Sequence, residues 1–184
     1  MTITAPVQPA RDANPPPLRL ETLVRLRWLA IGGQTLGVLF VALMLGFPMP
    51  LVACLALIAL SALLNLWLVV RFEAGRRLST RFAAAQLAYD CVQLAALLGL
   101  TGGLQNPFSL LLLAPVSVSA TTLPARATFV LAALAVALAT ILSVVHFPLP
   151  WMPGETLVLD RVYIVGIWVS LVCGVVFIAA YTNR

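Results

Sequence analysis

The chain has 184 residues, of which 62% are hydrophobic and only 9% are charged. This composition lies far outside the range of ordinary soluble domains and predicts an integral membrane protein. The formal net charge of +5 comes from arginines that flank the apolar runs. We therefore expect the positive charge to meet anionic lipid headgroups, and we expect no nucleic-acid partner.

The N-terminal segment differs from the rest of the chain. Residues 1–17 are rich in proline and lack apolar periodicity, which predicts a disordered cytoplasmic tail. Residues 18–27 alternate leucine with arginine, which favours a basic interfacial segment with Trp28 as an anchor at the headgroup level.

Six apolar runs follow. Crossing the hydrocarbon region takes about 20 mainly apolar residues per helix. The predicted spans are residues 28–47, 50–70, 82–100, 107–122, 127–145 and 162–181. The fold class is therefore an all-α integral membrane protein, with a six-transmembrane-helix bundle within residues 28–182.

The arginines predict the orientation of the bundle, because positive charge is retained on the cytoplasmic side of a membrane. Only Arg161 falls on the side opposite to the other arginines. Both termini are therefore expected to be cytoplasmic, in a multi-pass protein of the bacterial inner (cytoplasmic) membrane. The turn TGGLQNP is expected on the external side.

The third span carries polar residues on one face, because Gln86, Asp90 and Gln93 follow helical spacing. An ionised aspartate near the bilayer centre costs about 2.5 to 3.5 kcal/mol, so Asp90 is either protonated or partnered. Gln34 and Asn65 are possible hydrogen-bond partners, and no buried arginine is expected as a counter-charge. Both a role in holding helices together and a proton or ligand role remain open.

The cysteines and the histidine give no sign of a metal or heme centre. Cys54, Cys91 and Cys173 fall inside predicted spans, where we expect them to act as small apolar packing residues. His146 is the only histidine, and no cysteine and histidine cluster has ligand spacing, so no metal or heme is expected. We expect His146 to be a polar end group at the interface.

Small residues recur at intervals of four in the first and last spans. They are Gly33, Gly37, Gly166, Ser170 and Gly174. Such spacing permits close approach between helices. It fits either a dimer contact or packing within the chain.

The turn TGGLQNPF has two interpretations. Local chemistry explains it as a tight hairpin, since a glycine can end the third helix, Asn106 can cap the fourth and Pro107 suits its first position. The same geometry also suits a ligand. Free N–H groups at the helix start, the Asn106 amide and the flat Phe108 ring fit a quinone headgroup, which carries two carbonyl acceptors.

Several segments together carry a family resemblance. They are LVRLRWLA leading into GGQT, the GFPMPL turn, the stretch from LAYDCVQ through TGGLQNPF to TTLP, and the FPLPW loop. From about residue 18 to residue 181, the chain resembles the membrane sensor region of RegB/PrrB/ActS-type redox-sensing histidine kinases. The resemblance implies a quinone-interacting GGxxNPF motif, formed here by Gly102, Gly103, Asn106, Pro107 and Phe108. Chemistry alone adds Gln105, Asp90 and Gln93 as further candidates.

The resemblance also implies a function. In that family the membrane region senses the redox state of the ubiquinone pool and adjusts a cytoplasmic kinase that acts on a response regulator. We expect a homodimer in the full-length protein. These 184 residues show no phosphoacceptor histidine or ATP-binding motif, so no catalytic residue is expected here. The parent protein is expected to be a histidine protein kinase, a phosphotransferase.

Two other functions remain open. A small proton-coupled membrane transporter could use Asp90, with Gln86 and Gln93 lining the path. A heme-free membrane anchor for a quinone oxidoreductase is the other alternative.

Overall fold

The computed structural model describes residues 20–73, 77–155 and 157–181, and its elements in these ranges are all helical. The six α-helices are α1 (Leu20–Leu39), α2 (Leu51–Arg71), α3 (Thr80–Leu100), α4 (Leu113–Thr122), α5 (Ala125–Leu142) and α6 (Arg161–Tyr181). Five of them, all except α4, are long and apolar enough to cross a membrane. The predicted all-α membrane fold is confirmed. The predicted tail, residues 1–17, lies outside the described residues.

The fourth span differs from the others because α4 is preceded by a 3₁₀-helix, Pro107–Leu112. A 3₁₀-helix rises about 2.0 Å per residue and an α-helix about 1.5 Å. The combined segment Pro107–Thr122 is therefore about 27 Å long, close to the hydrocarbon thickness of about 30 Å. Because the 3₁₀-helix at its start rises more per residue, this short segment can reach across the membrane.

The first helix begins at Leu20, earlier than the predicted span of residues 28–47, and continues into a π-helical turn, Phe40–Met44. Arg25 and Arg27 are thus part of α1. Arg25 is exposed and forms an ion pair with Glu21 one turn earlier, whereas Arg27 is buried. The two arginines of the basic segment that the structure describes therefore have different environments, and of these two only Arg25 fits an interfacial position.

The helices form two groups. α1 packs mainly against α2, and α3, α4, α5 and α6 pack against one another. The largest cluster of buried apolar side chains lies within this second group. A smaller cluster, which includes Ile31, Cys54 and Leu97, joins α1 and α2 to α3. Because α1 is held mainly by α2, a space remains between α1 and α4.

The small residues have different surroundings. A Cβ atom added to Gly174 would lie 3.2 Å from Cδ1 and Cδ2 of Leu113, so α4 and α6 approach closely there. No atom would lie within 4 Å of a Cβ added to Gly33, Gly37 or Gly166. Packing within the chain therefore explains Gly174, and dimerisation through the other glycines stays a prediction.

The three cysteines are free, and their burial differs. Cys54 and Cys91 are fully buried, as expected of small packing residues. Cys173 is exposed on α6, so it does not act as a packing residue within the described part of the chain. The sequence could not distinguish these positions, because all three lie in apolar helices.

Candidate functional site

The turn between α3 and α4 has the local structure that its sequence predicts. Gly102 has a φ of +111° and Gly103 a φ of +59°, which places both in the left-handed region that favours glycine. Asn106 caps the following 3₁₀-helix, since its Oδ1 accepts a hydrogen bond from the backbone N–H of Phe108 at 2.9 Å. Pro107 occupies the first helical position.

The two glycines are buried against the protein. A Cβ atom on Gly102 would lie 3.0 Å from the Cα of Leu149, and one on Gly103 would lie 2.5 Å from the backbone oxygen of Leu142. The glycines therefore permit close approach of the end of α5 and the segment after it. Neither glycine lines the large cavity described below.

The amide group of Asn106 is engaged within the turn. Its Nδ2 donates to the carbonyl oxygen of Thr101 at 2.9 Å and to the Thr101 hydroxyl at 2.8 Å. The Thr101 hydroxyl in turn donates to the carbonyl oxygen of Leu97 at 2.8 Å. Because an amide nitrogen carries two hydrogens, Asn106 keeps none for a ligand in this arrangement.

Gln105 connects the turn to two later segments. Its Oε1 accepts from the backbone N–H of Leu159 at 3.2 Å, and its Nε2 lies 3.4 Å from Nε2 of His146. His146 Nδ1 lies 2.8 Å from the carbonyl oxygen of Phe147, which requires a hydrogen on Nδ1 and leaves Nε2 as the acceptor. Gln105 and His146 thus fix the end of α5 and the approach to α6.

A cavity of about 680 Å³, which we call the groove, lies between α1 and α4, with α3 as its floor. Its volume is within the range of small-molecule sites, about 300 to 1,000 Å³. Most of its lining is apolar. Asn106, Pro107 and Phe108 line it at the turn, together with Trp151. Of the residues in the predicted motif, these three meet the groove, and Gly102 and Gly103 do not.

The groove also contains a buried ion pair. Nε of Arg27 donates to Oδ1 of Asp90 at 2.8 Å, and the two side chains are 3% and 26% exposed. Nη2 of Arg27 donates to the carbonyl oxygen of Gln86 at 3.2 Å, and the guanidinium lies 5.5 Å from the centre of the Tyr89 ring. The expectation that no buried arginine pairs with Asp90 is wrong. Because α1 begins at Leu20, Arg27 lies inside the bundle and offsets the cost of burying the carboxylate.

A second polar contact joins α1 to α3. Gln34 and Gln93 form a reciprocal pair, in which Gln34 donates to Gln93 at 3.3 Å and Gln93 donates to Gln34 at 3.0 Å. Both residues line the groove. Asn65 instead donates to the carbonyl oxygen of Val24 at 3.1 Å. Gln34 and Asn65, which the sequence suggested as partners of Asp90, therefore form hydrogen bonds with other groups.

Sequence reasoning missed Arg27 as part of this site, although a signal was present. Arg27 and Gln34 are two helical turns apart and therefore share a face of α1. Asp90 and Gln93 are three residues apart and share a face of α3. Two polar faces of this kind in neighbouring spans indicate that the faces meet, since polar groups in lipid need partners.

These observations define a multi-span helical membrane domain with a groove at the depth of the lipid. Residues 29–181 match the family of PilS-like transmembrane domains, and the chain belongs to this family. Within the described residues, no group of three or more histidine, cysteine, aspartate or glutamate side chains could hold a metal ion.

The chain is also similar to individual proteins. The sensor histidine kinase RegB of Cereibacter sphaeroides is 37% identical over 174 residues, which cover 95% of this chain and 38% of the relative. A RegB from one strain of that species is 38% identical over 174 residues, which again cover 95% of this chain and 38% of the relative. No solved structure gives a significant match. The predicted resemblance to a RegB-type membrane sensor region is confirmed, and the spans and matches are consistent with the bacterial inner membrane.

Proposed function

We propose that this chain is the signal-input domain of a sensor histidine kinase, that it binds ubiquinone or another membrane quinone in the groove, and that it reports the redox state of the quinone pool to a cytoplasmic kinase. The chain spans only 38% of the length of the RegB relatives that it matches. The kinase activity, the response regulator and the homodimer of the full-length protein are therefore parts of the proposal.

The observation that carries the proposal is the groove itself. A membrane quinone combines a flat ring, two carbonyl acceptors and a long isoprenoid tail. The groove offers mainly apolar walls at the depth of the lipid, with the half-exposed Phe108 ring at the end beside the turn. In this account Asn106 positions Phe108 through its cap, and does not itself donate to the ligand.

A packing contact connects the groove to the last helix. Leu111 and Ala114 line the groove, and their neighbour Leu113 packs against Gly174 of α6. A ligand that prefers one position of α4 would therefore shift α6, which continues to Tyr181. Coupling requires only that oxidised and reduced quinone differ in affinity for two packings, by about 1 to 3 kcal/mol. In the predicted orientation α6 ends on the cytoplasmic side.

Replacing Phe108 with alanine tests the ligand contact. We expect about a fivefold weaker affinity for decylubiquinone, because removing the half-exposed ring takes away apolar contact area worth about 1 kcal/mol. Quenching of tryptophan fluorescence provides the measurement, since Trp151 lines the same groove. Phe129 is the matched control, because it is also 53% exposed and does not line the groove. Equal affinities for Phe108→Ala, Phe129→Ala and the unmodified chain would contradict the proposed site.

The structure does not favour the alternative of a proton-coupled transporter. Asp90 is held by Arg27, which gives the carboxylate a role in joining α1 to α3. Proteoliposomes that contain the chain would show solute or proton flux sensitive to Asp90→Asn if the transporter were correct.

A further inference from the structure

At the two ends of the groove, the Asn106 amide and the Arg27 guanidinium are engaged within the protein or buried. At the turn, Asn106 uses both amide hydrogens on Thr101, and the Thr101 hydroxyl donates to Leu97. Further along, Arg27 binds Asp90 and the backbone of Gln86, and its remaining nitrogen, Nη1, has no hydrogen-bond partner but is buried away from the surface of the groove. Neither the Asn106 amide nor the Arg27 guanidinium therefore exposes a free donor to a ligand in the groove.

The Gln34 and Gln93 pair has hydrogen-bonding capacity left. A side-chain amide has two N–H groups and two acceptor lone pairs. The reciprocal contact uses one of each from both residues. Among the described residues neither side chain has a further hydrogen-bond partner, so each keeps one N–H group and one lone pair. Both side chains line the groove.

The groove has room beside this pair. Gly33 and Gly37 flank Gln34 on the α1 wall, and both line the groove. A Cβ atom added to either glycine would meet no atom within 4 Å. Gln93 is 7% exposed and is held by its partner, so its amide is already positioned. An open space therefore lies next to a fixed polar pair.

The depth of the pair restricts what can bind. Gln93 lies eight residues before Thr101, which directly follows α3, and this is about 12 Å along the helix axis. If the turn marks the end of the span, the amide pair lies well inside the hydrocarbon region. A charged or strongly hydrated ligand would lose its hydration there without compensation. A neutral, lipid-soluble ring with a carbonyl acceptor would not incur this uncompensated loss of hydration.

We infer that the Gln34 and Gln93 pair is the polar anchor for the ligand ring, with a spare amide N–H donating to a ring carbonyl. The inference rests on the proposed quinone-binding function and places the ring away from the turn. The tail then runs along the apolar walls toward Phe108. Because the pair joins α1 to α3, a change in the acceptor strength of the carbonyl alters the contact between the two groups of helices.

A double substitution tests the anchor. Gln34→Met combined with Gln93→Met removes both amides, keeps similar side-chain length and leaves no buried amide without its partner. With the full 184-residue chain in lipid nanodiscs, we expect decylubiquinone to bind about fivefold more weakly to the double variant, because the one hydrogen bond to the ring carbonyl, worth about 1 kcal/mol, is lost. Decylbenzene, which has the same chain and no carbonyl oxygen, should bind both proteins equally, as measured by displacement of decylubiquinone.

A second substitution tests the position. Gly37→Leu places a side chain in the space beside the pair, and we expect at least tenfold weaker binding of both probes. Gly166→Leu is the control, since Gly166 also has open space around it but does not line the groove. Matching thermal midpoints for the two leucine variants show that any difference in binding is not a folding defect.

The outcomes separate the inference from the proposed function. If the unmodified chain does not bind decylubiquinone, both are overturned. If the unmodified chain binds decylubiquinone, and either the double methionine variant or Gly37→Leu binds it equally tightly, the proposed anchor is wrong. The proposal that the chain binds quinone then still stands. If the double variant loses the same factor of affinity for decylubiquinone and for decylbenzene, the anchor is also overturned, because the effect would not depend on the carbonyl.

Discussion

Replacing Asp90 with leucine is expected to destabilise the domain by about 3 to 5 kcal/mol, because it leaves a buried guanidinium without its counter-charge. Arg27 is the more deeply buried partner, at 3% side-chain exposure against 26% for Asp90. A guanidinium cannot lose its proton in a protein. Arg27→Leu should therefore cost less, since the remaining carboxylate can be neutralised by taking up a proton.

The free energy of unfolding of the reconstituted chain, followed by circular dichroism during titration with sodium dodecyl sulfate, provides the measurement. The double variant Arg27→Leu with Asp90→Leu is the control. It should recover most of the lost stability, because replacing a buried ion pair with apolar side chains is often neutral or stabilising. If all three variants unfold within about 1 kcal/mol of the unmodified chain, the ion pair does not hold α1 against α3.

Replacing Gly103 with alanine is expected to destabilise the turn by about 2 to 5 kcal/mol. The new Cβ atom would lie 2.5 Å from the backbone oxygen of Leu142 and 2.7 Å from the His146 ring, so the end of α5 would have to move. Overpacking of this kind typically costs about 1 to 3 kcal/mol. The φ of +59° adds a conformational cost of about 1 to 2 kcal/mol for a residue with a side chain.

Gly154→Ala separates these two contributions. Gly154 also has a positive φ, +88°, but no atom would lie within 4 Å of its added Cβ. It should therefore show only the conformational cost. The same unfolding measurement applies to both variants, and an equal loss of stability would show that the turn does not pack tightly against the end of α5.

The fold was predictable from the sequence because few backbone conformations are stable in lipid. Unpaired backbone groups are very costly in the hydrocarbon region, so a long apolar run there forms a helix. The start of α1 was not predictable in the same way. Arg25 and Arg27 lower the hydropathy of the segment Leu20–Leu39. A hydropathy scale gives an arginine the same value whether or not it has an ion-pair partner. Asp90, which provides that partner for Arg27, lies 63 residues further along the chain.

The candidate site was predictable only where its chemistry is local. The left-handed glycine, the Asn106 cap and the position of Pro107 depend on neighbouring residues, and the sequence indicates all of them. Whether the Asn106 amide is free depends on the turn's exact geometry, and here Thr101 occupies it. The groove depends on the placement of α1 against α2, with an open side toward α4, and no local pattern specifies such a placement.

We propose that a lipid-soluble carbonyl ring occupies the groove between α1 and α4. Photoaffinity labelling of the reconstituted chain with an azido derivative of decylubiquinone tests it most directly, with labelled residues identified by mass spectrometry. We expect label in residues 30–37 and 107–115, and we expect excess decylubiquinone to reduce it. Label spread over the exposed faces of all helices, α6 included, and unaffected by the competitor would contradict it.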